Sequence, residues 1–182
     1  MKLAIISDIH DNLANLEKFL AVAKGLGIYG IICCGDVTTP ETLEWLAENF
    51  SGPIKLANGN MEIRREEFFE VAKRHKNLEV FEEVGEWDYQ TPGVDTSTRI
   101  AFVHRPDKTE ELARRLVRQA HRKKYNFVFY GHTHKPWIRG EGVIIANPGT
   151  LGGVFTGATF AVLDTVTGHL ELMRLYRATA EA

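Results

Sequence analysis

Cysteine is nearly absent from this chain: among 182 residues only Cys33 and Cys34 carry thiols, and they are adjacent in a hydrophobic run. Neighbouring strand residues point to opposite faces, so the pair forms neither a C-x-x-C motif nor a zinc knuckle. Two buried thiols suit a reducing compartment. Proline is scarce as well, at 6 residues, while 44% of the chain is hydrophobic and 25% charged. That balance excludes a disordered or low-complexity chain. Neither sign of charge is in excess, with 22 Lys and Arg against 24 Asp and Glu. A net charge of -2 excludes a strongly basic nucleic-acid binder and gives no general attraction to anionic membranes. Long apolar runs are missing too. Leu3 to Ile6 falls short of the roughly 7–15 residues of a signal peptide, and nothing approaches the roughly 20 of a membrane span. No linker stands out, and no repeat at a spacing of about 20–50 residues. The expectation is one cytoplasmic domain over residues 1–177, with a loose tail at 178–182.

What is present is punctuated periodicity. Leu3 to Ser7 reads as a strand covered on both faces. Residues 12–24 switch to a helical period through Leu13, Leu16, Phe19, Leu20 and Ala23, with Asn12 as cap and Gly25 and Gly27 at the end. Ile28 to Cys34 is a second buried strand. Thr39-Pro40 starts a helix with its stripe at Leu43, Leu46, Ala47 and Phe50. Ile54 to Ala57 is a third strand, followed by a helix over 64–74 packed through Phe68, Phe69 and Ala72. Three strand–helix repeats predict an α/β layer. The second half is strand-rich: Leu78–Phe81, Val84–Tyr89, Thr98–Val103, Phe127–Tyr130, Val143–Ala146, Ala158–Leu163 and Leu170–Tyr176. Pro92-Gly93 and Thr165 to Gly168 mark turns, and one helix over 108–124 interrupts. Two sheets packed face to face with helices outside accommodate both halves.

Polar residues collect where these strands end. Asp8 and His10 follow the first strand, Gly35-Asp36 the second and Gly59-Asn60 the third; His104 and Gly131-His132-Thr133-His134 follow two later ones. Ligands of open α/β sheets bind outside the carboxyl ends of strands. Singly, each feature has an ordinary explanation, such as a helix cap at Asp8 or a turn at Gly35-Asp36. Together, two carboxylates, four imidazoles and one amide suit divalent transition ions, and the imidazoles disfavour magnesium. They are too many for one structural zinc. Two ions need a bridging ligand, for which an aspartate is suited.

In order, Asp8-x-His10, Gly35-Asp36, Gly59-Asn60, His104 and Gly131-His132-Thr133-His134 resemble the motifs of calcineurin-like metallophosphoesterases. The length and the Asn147-Pro148-Gly149-Thr150 segment look like the small bacterial and archaeal phosphodiesterase branch. The resemblance implies a four-layer αββα sandwich, two mixed sheets flanked by helices, around a dinuclear centre. It further implies that one ion takes Asp8, His10, Asp36 and His134 and the other Asp36, Asn60, His104 and His132, with Asp36 bridging. There are two departures. Met61-Glu62 stands where the family usually has His-Asp or Cys-Asp, and His104-Arg105 where it has His-Gly.

The expected activity is phosphoester hydrolysis, with a hydroxide shared by two ions attacking phosphorus. Manganese is the favoured metal, and nickel, iron, cobalt or zinc also fit. Asp36, Asn60, His104 and Arg105 are the residues expected to carry catalysis, Arg105 by contacting phosphate oxygens. Met61 has no proton to give a leaving group, and the ions, carboxylates and hydroxide leave a charge of about +1. Both favour small-molecule phosphodiesters over phosphomonoesters or phosphoproteins. The rival is a non-enzymatic scaffold of the same fold, using an aromatic patch from Trp45, Trp87 and Trp137. The basic face at Arg114, Arg115, Arg118, Arg122 and Lys123 reads as a solvated helix face rather than a nucleic-acid surface. Small size points to a modest assembly, a homodimer.

Overall fold

A computed structural model describes residues 1–90, 97–105, 125–140 and 142–175. The helix expected over 108–124 with its basic face, the Pro92-Gly93 turn and the tail at 178–182 lie outside these residues. In chain order the elements are β1 (Lys2–Ile6), α1 (Leu13–Leu26), β2 (Ile28–Cys33), α2 (Pro40–Asn49), β3 (Ile54–Ala57), α3 (Arg65–Arg74) and β4 (Leu78–Phe81). The strand-rich half supplies β5 (Val84–Gln90), β6 (Ser97–Val103), β7 (Phe127–Tyr130), β8 (Trp137–Arg139), β9 (Ile144–Asn147), β10 (Thr159–Asp164) and β11 (Leu170–Arg174).

The strands form two mixed sheets. One runs β11-β10-β1-β2-β3-β4 and the other β5-β6-β7-β9-β8. β1 to β4 are mutually parallel, as are β6, β7 and β9, while β10 lies antiparallel to β1 and β5 to β6.

Strict alternation along the central strands packs the layers. Leu3, Ile5, Ile32 and Cys34 face the second sheet, where Ile100, Phe102, Phe127, Phe129 and Ala146 meet them. Ala4, Ile6, Ile31 and Cys33 face outward, under Leu16, Phe19, Leu43, Leu46, Phe68 and Val71 from the three helices. The adjacent thiols therefore belong to different cores, and both are free and buried. Truncating a fully buried side chain such as Phe19, which packs edge-on against Phe160 with ring centroids 5.2 Å apart, costs about 3–5 kcal/mol. Ala101, Tyr125, Val128 and Val143 form a smaller cluster in the second half.

Local signals do their expected work at two helix starts. The Asn12 side chain accepts the Asn15 N–H at 3.1 Å. Thr39 Oγ1 accepts the Thr42 N–H at 3.4 Å, ahead of Pro40. Three details differ from the sequence reading. Leu13 is exposed, because α1 turns its stripe through Leu16, Phe19 and Ala23. Val71 shares the core with Phe68, while Phe69 is half-buried. β8, a three-residue edge strand on β9, was not expected.

This topology positions the site. β1, β2 and β3 of one sheet and β6, β7 and β9 of the other send their carboxyl ends to the same edge of the sandwich. The loops there are tied together: the Asp8 N–H donates to Gly35 O at 2.9 Å, the His10 N–H to Asp36 O at 3.1 Å and the Gly131 N–H to His104 O at 2.9 Å.

Candidate metal centre

Two trios of ligating atoms meet at this edge. Asp8, His10 and His134 form one, and Asp36, His104 and His132 the other, each with its atoms within 4.8 Å of one another. Asn60 joins the second trio, its Oδ1 lying 3.0 Å from His104 Nε2. All seven residues singled out from the sequence are therefore brought together.

The backbone is bent to present them. Asp8, His10, Asp36, His132 and His134 all have positive φ, between 49° and 67°. Asp and His tolerate this region better than most residues, yet each such position costs of order 1–3 kcal/mol and persists only where neighbours enforce it. Those neighbours are visible. Thr150 Oγ1 and the Gly152 N–H both donate to Asp8 O, and the His132 N–H donates to Asp8 Oδ2 at 3.0 Å. Gly131 must be glycine, since a Cβ there would lie 1.9 Å from Ser7 Oγ. A Cβ on Gly59 would lie 2.3 Å from Asp36 Oδ1. The glycines flagged in the Gly-Asn and Gly-His motifs thus mark close approach to the two aspartates.

The chemistry of the donor atoms fits divalent cations. His104 Nδ1 lies 2.7 Å from the Cys34 carbonyl, which holds the ring proton on Nδ1 in the neutral form. The bare Nε2 then faces only acceptors, Asp36 Oδ2 at 3.2 Å and Asn60 Oδ1 at 3.0 Å. In the other trio His134 Nδ1 faces the Val154 carbonyl at 3.4 Å. Its Nε2 lies 3.2 Å from His10 Nε2 and 3.0 Å from Asp8 Oδ1, a buried oxygen with no hydrogen bond. Lone pairs converging on lone pairs repel unless a proton or a cation lies among them.

Electrostatics follow the same geometry. Burial pushes the Asp8 carboxyl above its usual range. Burial acts on Asp36 in the same direction, but the His104 ring beside it prevails and holds Asp36 low, while Asp36 in turn holds His104 high against its own burial. His132 is held low by burial and by the nearby His104 and Arg105. Arg105 itself is exposed.

Glu62, the neighbour of Met61, points away from the opening and is 1% exposed. Its carboxylate accepts the N–H groups of Val37 at 2.5 Å, Gly59 at 2.6 Å, Asp36 at 3.2 Å and Thr38 at 3.3 Å. It stitches the β2 loop to the β3 loop and so sets the position of Asp36. Burial, followed by the Asp36 charge, pushes its carboxyl above the usual range. Met61 keeps its side chain partly exposed and donates its backbone N–H to Asp36 Oδ1 at 2.9 Å.

Asp11 escaped notice in the sequence. Its Oδ1 accepts from Thr39 N–H, Thr39 Oγ1 and Thr42 Oγ1 at 3.1, 2.7 and 2.7 Å, anchoring the His10 loop on the start of α2. A third group, Glu44, Glu48 and His75, lies away from this edge on α2 and the end of α3, where Arg74 already pairs with Glu44 at 2.8 Å. The three tryptophans form no common patch: Trp45 packs on the helix-side core, Trp87 on the inter-sheet core and Trp137 edge-on to Tyr130. Among the described residues no helix is long and apolar enough to cross a membrane.

The sequence profile of the calcineurin-like phosphoesterase superfamily domain matches residues 1–168. The chain belongs to that superfamily. A phosphodiesterase of Methanocaldococcus jannaschii is 27% identical over 167 residues, which cover 91% of this chain and 93% of the relative. The structure of an archaeal phosphodiesterase superposes with a TM-score of 0.78 at 23% identity, covering 96% of this chain and 99% of that one. Vps29 of Chaetomium thermophilum superposes with a TM-score of 0.67 at 16% identity, over 95% of both chains. As a calcineurin-like phosphoesterase the chain is a metal-dependent hydrolase with two candidate metal clusters, on the two-sheet α/β fold of the superfamily.

Proposed function

We propose that this phosphoesterase is a phosphodiesterase acting on small diesters. Asp8, His10, Asp36 and His134 hold one divalent ion and Asp36, Asn60, His104 and His132 the other, with Asp36 between them and manganese the preferred metal. When bound, such ions withdraw electrons from a phosphoryl group and make water nucleophilic near neutral pH. The chain's own part is to hold the ligands in place. Cys34 O fixes the His104 tautomer, Glu62 fixes the loop of Asp36 and Thr150 fixes the loop of Asp8. Asn60 and His104 would act by holding the second ion beside the phosphoryl group, and Arg105 would pair with its non-bridging oxygens. Cys33 and Cys34 take no part, since burial pushes both thiols far above their usual range. The same two free thiols suit a cytoplasmic setting, and a homodimer is the assembly favoured.

The observation that carries the diester reading is the arrangement at Met61 and Glu62. Met61 cannot protonate a leaving group, and the carboxylate next to it is committed to four backbone N–H groups. A general acid contributes typically about 10²–10⁴-fold, so esters whose leaving group departs unaided are the ones that turn over. A diester, with a single negative charge, also suits a centre of low net positive charge. The test is a leaving-group series of paired mono- and diesters with metal-loaded protein. A steep fall of rate with leaving-group pKa, diesters ahead, supports the reading; a flat dependence or monoesters ahead sinks it. The scaffold alternative predicts a metal-loaded protein inactive on every ester of that panel.

A further inference from the structure

Phe155, between β9 and β10, combines features that rarely coincide. It is 94% exposed, the most exposed large hydrophobic residue among those described. Its φ is 64°, a left-handed conformation that is a genuine outlier for a bulky side chain. It is not a loose tip, because both its neighbours are held to one histidine. The Val154 carbonyl faces His134 Nδ1 at 3.4 Å, and Thr156 Oγ1 donates to His134 O at 3.3 Å. Four residues upstream the same loop is pinned just past the end of β1, with the Leu151 N–H donating to Ser7 O at 2.8 Å. The Phe155 ring lies near-parallel to the His134 imidazole, centroids 5.9 Å apart and planes 29° apart. One side of the ring is thus turned to a ligand of the Asp8 trio, and the rest is open to solvent.

Exposing a whole phenyl ring in a strained but fastened conformation has no folding advantage, and such strain concentrates at binding sites. A π-face offered to solvent is a stacking platform for another planar ring. We propose that Phe155 is the specificity platform of the site: it stacks an aromatic ring carried by the phosphodiester, so that aromatic esters are preferred over aliphatic ones of equal reactivity. This rests on the phosphodiesterase reading and names the substrate class within it. The ring can sit directly on the ester oxygen, as in an aryl diester, or one sugar away, as in a nucleotide.

The test pairs a phenyl diester with a hexafluoroisopropyl diester, whose leaving groups have similar pKa values but differ in having a ring. Metal-loaded wild type is compared with Phe155→Ala, Phe155→Leu and Phe155→Tyr, and with Val166→Ala as a control at an exposed apolar position in the β10–β11 turn at the opposite edge. Calorimetry on the same proteins measures affinity for phenyl phosphate, adenosine monophosphate and glycerol phosphate. Removing one stacking partner should weaken binding of the ring, so Phe155→Ala should raise KM for the phenyl diester by about tenfold. The hexafluoroisopropyl diester should change by no more than about twofold. Tyr should restore the preference and Leu should not. Affinity for phenyl phosphate should fall with KM, and affinity for glycerol phosphate should not. A parallel loss for adenosine monophosphate identifies a nucleobase as the ring; loss for phenyl phosphate alone identifies an aryl ester. Equal effects on both diesters, or none on either the diesters or the phosphates, overturn the proposal. So does a dimer that Phe155→Ala converts to monomer with ligand affinities unchanged, since the ring would then anchor a second copy. A loaded wild type that hydrolyses neither diester removes the phosphodiesterase reading, and calorimetry still decides the fate of Phe155.

Discussion

The two trios at the sandwich edge are held in place to different degrees. His104 and Asp36 are almost wholly buried, with side chains 1% and 3% exposed. The His104 ring is fixed by a 2.7 Å contact to Cys34 O, and the loop of Asp36 is gripped from below by Glu62. In the other trio Asp8 is fully buried, but His10 and His134 are 22% and 14% exposed. Asp8 Oδ1 has no hydrogen bond, and the contact fixing His134 is a long 3.4 Å. The core thus preorganises two members of the Asp36 trio, with only His132 partly exposed, against one member of the Asp8 trio, whose two histidines both sit at the opening. Preorganised ligands bind more tightly because less ordering is left to be done on binding. The Asp36 trio should therefore take up its ion first and release it last.

The largest break in this comparison is expected at Asp36 itself. On the proposed ligand assignment Asp36→Asn removes the carboxylate shared by both ions, so it should abolish binding of both and depress turnover by more than the 10–100-fold typical of losing an outer partner. Elemental analysis together with rates on an aryl diester would check it. His104→Ala and His10→Ala sharpen the contrast. The first should lose the tighter ion, the second only the weaker one, read as separate steps in a calorimetric metal titration of the metal-free protein. Two identical steps, or loss of the same step in both variants, would show the trios to be equivalent.

Glu62→Gln comes next. An amide has only one acceptor oxygen and turns an NH2 donor toward backbone donors, leaving buried N–H groups unpaired at about 1–3 kcal/mol each. Urea unfolding should show a loss of about 2–4 kcal/mol, and metal affinity should drop by about 10–100-fold, mainly in the tighter step. Stability that falls while both metal steps stay intact would mean that the β2 loop keeps its shape without Glu62. A smaller effect lies deeper still: Cys33 and Cys34 should resist a thiol reagent in the folded protein and react together only after denaturation, because burial pushes both thiols up.

Much of this was readable from residues alone, for physical reasons that can be named. The unbroken apolar runs Leu3 to Ile6 and Ile31 to Cys34 specify strands covered on both sides, and the ligands sit where those strands stop. Asn12 and Thr39 act within three residues of themselves, so their caps are local facts. What escaped was non-local. Glu62 reaches 24 to 26 positions back along the chain to Asp36, Val37 and Thr38, and nothing in Met61-Glu62 reveals that grip. β8 is three residues on an edge and carries no period to read. Phe155 sits among glycines and threonines, where an exposed ring looks like any loop residue until His134 is seen beneath it.

The smallest effect expected, Met61→His, tests whether the missing proton donor is missing for one reason or two. A histidine restores a group able to give a proton. It does not restore what orients such a histidine, since the neighbouring Glu62 carboxylate lies buried beneath the backbone of residues 36 to 38 and of Gly59, with no oxygen free to accept from an imidazole. An unoriented acid delivers a small part of the usual 10²–10⁴-fold. Position 61 is partly exposed, so the new ring would spend most of its time in water, and water competes for its proton. Met61→His should therefore raise kcat/KM for esters of poor leaving groups by less than about tenfold, leave activated aryl diesters unchanged and reduce the leaving-group dependence only slightly. The measurement is the slope of log kcat/KM against leaving-group pKa in the two proteins. A slope that becomes flat in Met61→His would mean that the position is preorganised for an acid after all, and that Met61 alone sets the preference for diesters.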